Sequence, residues 1–153
     1  MDRFLIGLIT NRVFLSAAGA WLIAQVSKNI LHMIKGEFTR DRLAGSGGMP
    51  SAHSATVCGL AVSSALVSGS HSTEFVIALF LAIIVIYDAL GVRRTTGEQS
   101  RVLNAMRKNA AAPDPLDGKP LEEHMGHTLP EIIVGMAVGI AVAVLVYNLP
   151  IPG

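Results

Sequence analysis

From Leu43 to Thr73 the chain carries no aspartate, glutamate, lysine or arginine, and three further stretches are nearly as free of charge. Four such stretches in 153 residues leave too little polar surface to shield them from water. A bilayer suits them better, since its hydrocarbon core takes about 20 apolar residues per helix. The expected spans are about Val13 to Ile34, Ser51 to Ser70, Glu74 to Val92 and Pro130 to Leu149. The first is the weakest, because Lys28 lies inside it and must either snorkel or face a polar cavity. Composition agrees: 15% of residues are charged, against about 25% in an average soluble domain, and mean hydropathy is +0.52. With 15 glycines and 5% aromatics, the helices are expected to pack through small residues, as at Gly135-x-x-x-Gly139. The sequence therefore predicts a single all-α domain over residues 1–153, a polytopic bundle of about four transmembrane helices.

Four spans place the two long connections, Lys35–Met49 and Arg93–Leu129, on one side of the membrane. That side carries ten of the 12 lysines and arginines, and only Arg3 and Arg12 fall on the other. The positive-inside rule puts the long loops in the cytoplasm of a bacterial inner membrane, or the equivalent side of an organellar one. Within the second loop, Glu98–Ala110 has helical spacing at Val102, Leu103 and Met106, and either prolongs the third span or lies at the interface. Phe4–Ile9 is too short for the apolar region of a cleavable signal. A net charge of +1 points away from nucleic acid as a partner. The single cysteine, Cys58, excludes an intrachain disulfide and reads as core.

Chemistry concentrates where the glycine-rich stretch Gly45-Ser-Gly-Gly-Met-Pro-Ser-Ala-His-Ser54 enters the second span. Glycines let the backbone approach a bound group closely. Pro50 suits the first turn of a helix, whose free N–H groups and positive dipole end favour an anion. His53 can carry protons beside it.

Three blocks then combine. Lys35, six residues, Arg42; Pro50-Ser-Ala-His-Ser54; and His127-Thr-Leu-Pro-Glu131 with Gly135 resemble the signature of the type 2 phosphatidic acid phosphatase superfamily, which shares its site with vanadium-dependent haloperoxidases. The segments Gly47–Ala55, Tyr87–Arg94 and Gly126–Glu131 resemble its divergent, small branch more closely. The resemblance covers roughly residues 28 to 140. It implies a site at one membrane face, with His127 as the nucleophile that becomes a phosphohistidine and Glu131 orienting it. His53 is implied as general acid, and Lys35, Arg42, Ser51 and the backbone around Gly48 as the phosphate cradle. Arg93 or Arg94 would replace the Ser-Arg pair of the larger family, whose place Pro120-Leu121 takes here; Leu43 and Ala52 likewise stand where that family has proline and glycine. No metal or other cofactor is implied.

The expected activity is hydrolysis of a membrane lipid phosphate, a monoester or diphosphate, with lipids and possible further copies of the chain as partners. A non-catalytic binder of phosphate head groups is the alternative, and vanadate-dependent peroxidase chemistry a third. Structural readings stand beside these. Glu131 fits a capping box with Thr128. Lys35, Arg40 and Arg42 fit a lipid-facing basic cluster. Arg93 and Arg94 fit interface anchors, and Asp88 fits either a functional acid or a structural ion pair. His32, His71 and His124 match no block.

Overall fold

The computed structural model describes residues 2–34, 36, 48–108, 116, 118–123 and 126–151. Every regular element among them is a helix: α1 (Asp2–Thr10), α2 (Arg12–Ile34), α3 (Ala52–Ser68), α4 (Thr73–Leu90), α5 (Val92–Lys108) and α6 (Leu129–Tyr147). Four of these, α2, α3, α4 and α6, coincide with the four expected stretches. Local chemistry sets their ends. Asn11 Oδ1 accepts the Phe14 N–H at 2.9 Å to start α2, and Ser72 Oγ accepts the Phe75 N–H at 3.2 Å to start α4. Pro50 is not in the first turn of α3, as the sequence suggested. Ser51 is the N-cap, its Oγ accepting from the Ser54 N–H, so Pro50 precedes the helix.

The bundle is built around α3, which packs against α2, α4 and α6. Its contacts are made by small side chains: Ala20, Ala24, Ala52 and Ala55 form one buried cluster, and Val57, Ala61, Ala78 and Ala82 another. The large apolar residues point the other way. Ile77, Phe80 and Ile84 of α4 are each at least 60% exposed. Small residues inside and large ones outside reverse the soluble pattern and match helices that meet lipid.

Span by span, α4, running on into α5, and α6 are each long and apolar enough to cross a membrane. The weak first span passes only when α1 and α2, bent by 67° at Asn11, are taken together. With 17 residues α3 is shorter than the other three and about 25 Å long. Most of its residues are buried against α2, α4 and α6. At the end of the bundle where α6 finishes, Arg12 donates to the carbonyls of Tyr147 (2.6 Å), Leu149 (3.3 Å) and Ile151 (3.4 Å). This places a cation on the negative end of α6.

Candidate phosphate site

The other end of the bundle gathers the C-terminal turns of α2 and α4 with the N-termini of α3, α5 and α6. His127 lies just before Thr128, the N-cap of α6, and is buried. Its N–H donates to the Ala89 carbonyl at 3.1 Å, which docks the loop onto the α4–α5 corner. Gly126 makes that docking possible. Its φ is +86°, and a Cβ there would lie 2.6 Å from the Arg94 nitrogen, so a side chain is excluded by both conformation and space. The His127 ring is held from the other direction, its Nδ1 lying 3.2 Å from Glu131 Oε2. The same oxygen accepts the Thr128 N–H at 2.9 Å. Glu131 thus fills both roles read from the sequence, helix cap and histidine partner.

His53, in the first turn of α3, brings its ring centre within 6.5 Å of that of His127. It also lies within Coulombic range of Arg93, Lys28 and Asp88. Arg93 Nε bonds Asp88 Oδ2 at 2.6 Å, so the acid ending α4 is an ion-pair partner and the terminal NH2 groups of Arg93 stay outside that bond. Arg94 instead faces Glu98 at 3.6 Å on an exposed part of α5. Of the two arginines, Arg93 is the one grouped with the histidines.

Ser51 mainly serves the fold. Its N–H donates to the Glu131 carbonyl at 3.0 Å, and its buried Oγ accepts from Ser54 Oγ at 3.0 Å. The first bond ties the starts of α3 and α6 together, and the second holds the first turn of α3. Lys35 and Arg42 lie outside the described residues, as do Arg40 and His124. Gly48 is described, with φ +88° and no room for a side chain: a Cβ would lie 2.9 Å from His32 Nε2 and 3.2 Å from Lys28 Cδ.

Lys28 is the residue sequence reasoning undervalued. It is 5% exposed, within the site end of α2 and against Gly48. It is buried in the bundle and not extended to the surface. The available signal was a lysine inside an otherwise apolar span, where a charge is costly enough to suggest a functional role.

The model of the divergent PAP2 family matches residues 9–142. This chain belongs to that family. It is also 34% identical over 145 residues to an uncharacterised membrane protein, YuiD, of Bacillus subtilis strain 168, covering 87% of this chain and 92% of that protein. No solved structure matches it. The chain is thus a membrane protein of the divergent PAP2 family, and the histidine blocks that resemble the family signature meet at one end of its bundle.

The loop leading to His127 has its own anchor. The Asn104 amide grips the backbone of Leu121 from both sides, donating to its carbonyl and accepting its N–H, each at 2.9 Å. It donates further to Glu123 Oε1 at 2.7 Å, and Arg107 donates to the Lys119 carbonyl at 3.1 Å. Asn104 is buried, so Asn104→Leu leaves two backbone groups without partners, a cost of about 1–3 kcal/mol each. Hydrogen exchange is expected to rise over residues 119–123 in that variant and to stay unchanged in α2 and α3.

Proposed function

We propose that the protein hydrolyses a lipid phosphate through a covalent phosphohistidine on His127. The observation that carries this is the paired histidine geometry: Glu131 engages Nδ1 of His127, which leaves the Nε2 lone pair for attack, and His53 stands 6.5 Å away between ring centres. Attack distance and proton-transfer distance are each about 3 Å, so a gap of this order accepts one phosphoryl group between the rings.

His127 Nε2 attacks phosphorus while the bond to the leaving oxygen breaks, and His53 gives that oxygen its proton. The carboxylate of Glu131 stabilises the positive charge that develops on the His127 ring. Water then attacks the phosphohistidine, passing a proton to His53, and inorganic phosphate leaves with His127 restored. Lys28, the terminal groups of Arg93 and the free N–H groups at the start of α3 neutralise the phosphoryl oxygens, the main demand of phosphoryl transfer. Lys35 and Arg42 join this set through the family spacing. In this reading the site faces the cytoplasm, which the excess of lysine and arginine in the two long connections supports.

The test is phosphate release by purified protein from vesicles containing phosphatidic acid, phosphatidylglycerol phosphate or a polyprenyl diphosphate. Release from at least one, with an acid-labile phosphoprotein trapped on rapid quenching, is expected. Head-group binding with no release from any of them would replace this reading with that of a non-catalytic binder. The commitment of Arg93 to Asp88 is the feature that favours that second reading.

A further inference from the structure

A cleft of about 700 Å³ lies in the half of the bundle away from the histidines, floored by Leu60, Ser64 and Val67 of α3 and walled by Phe14 and Ala17 of α2. Its volume is that of a site for a small molecule. At about 100° per residue, His53, Leu60, Ser64 and Val67 fall within one sector of α3 about 60° wide. The helices on either side can be placed in the same way. Gly59 and Ser63 meet Ala20 and Ser16 of α2 on one flank. On the other flank, Val57 and Ala61 pack against Ala78 and Ala82 of α4. The sector between these flanks runs between α2 and α4, with His53 toward one end and the cleft toward the other.

From this the geometry points to a hydrocarbon-tail site: this sector of α3 receives the chain of the same lipid whose phosphate lies at His53. It rests on the proposed reading of the histidine site and adds to it where the rest of the substrate goes. The dimensions fit. Leu60 to Val67 lie about 10–21 Å from His53 along the helix axis, at 1.5 Å per residue. Half a hydrocarbon core is about 15 Å deep, so Leu60 and Ser64 sit at the depth of tail methylenes and chain ends for a head group held at His53, and Val67 lies past the midplane where only a long chain reaches. A lipid in that leaflet already stands with its chain parallel to this sector. The far rim turns polar at Asn11, Arg12 and Glu74, which stops a chain there. The occupant is therefore a long-chain phosphate, not a soluble sugar or nucleotide phosphate.

The experiment uses the full chain in phosphatidylcholine vesicles with a phosphatidic acid bearing a diazirine at the end of a long acyl chain. Photolabelling is expected on the Leu60–Val67 face and on Phe14 or Ala17, and excess unlabelled phosphatidic acid is expected to suppress it where added phosphatidylcholine does not. Labelling spread over the outer faces of α4 and α6 without such competition would mean bulk lipid only and overturn the proposal. In parallel, Val67→Trp fills the cleft from a half-exposed position. It is expected to lower kcat/KM for long-chain phosphatidic acid about tenfold and to leave phosphate release from the dihexanoyl analogue unchanged; equal effects on both chain lengths would also overturn it. Competed labelling without any turnover would remove the hydrolase reading and keep the tail site. Turnover with uncompeted labelling would do the reverse.

Discussion

His127→Ala is expected to lower phosphate release by roughly 10⁴-fold or more, the scale seen when a covalent nucleophile is deleted. The protein should remain folded. His127 ties the loop to α4 through its backbone N–H, which alanine retains, and its ring is hydrogen-bonded to Glu131, which keeps its own bond to the Thr128 N–H. The informative companion is Glu131→Gln. Glutamine still offers an oxygen to the Thr128 N–H, so the start of α6 is kept. The carboxylate charge that steadies a developing imidazolium is lost, and activity should fall by about 10²–10⁴-fold. His53→Ala differs again. Loss of the acid slows leaving-group departure by about 10²–10⁴-fold, yet phosphohistidine can still form on His127 from a substrate with a good leaving group. Quenched-flow trapping separates the cases: label on His53→Ala, none on His127→Ala. Phosphate release unchanged in His127→Ala would remove the nucleophile from this mechanism.

How far the sequence revealed this arrangement depends on the kind of signal each residue carries. The four central helices were legible because an uncharged run of span length has few other uses, and the expected ends fell within two residues of those observed. The pairing of His53 with His127 came from resemblance, since 74 positions of chain separate them and periodicity says nothing about such a meeting. Lys28 reads from sequence as either snorkelling or facing a polar cavity, because a sequence gives depth along a helix but not rotation about it. Only the packing of α2 on α3 turns that lysine toward Gly48. Asn104 was silent for a similar reason: its role is to pair with the backbone of Leu121, and a backbone leaves no trace in composition. Arg93 and Arg94 could not be separated by sequence either, because adjacent positions on a helix differ by 100° in direction. Their separate ion pairs, with Asp88 and Glu98, divide them.

Gly139→Val is expected to be the most damaging substitution to the fold. The α3–α6 contact places Gly139 against backbone: a Cβ there would overlap the Ala55 carbonyl oxygen and approach the Gly59 nitrogen at 2.8 Å. Gly135 is similarly placed, with a Cβ position 2.5 Å from the Ser51 carbonyl oxygen. Neither neighbour is a side chain able to change rotamer, so the helices must move apart. Overpacking of a soft core costs about 1–3 kcal/mol, and against two helix backbones the loss should lie at or above the top of that range. Separation also strips contacts from a seam in which close approach of small residues supplies the stability that large apolar side chains supply in water. The consequence reaches the site, since the bond from the Ser51 N–H to the Glu131 carbonyl spans the same two helices one turn beyond Gly135. Gly139→Val should therefore lower the melting temperature seen by circular dichroism and abolish phosphohistidine formation together. Ala137→Val, on the exposed side of α6, adds a similar volume toward lipid and should change neither. A Gly139→Val protein that melts like the parent would mean that α3 and α6 do not pack backbone to backbone.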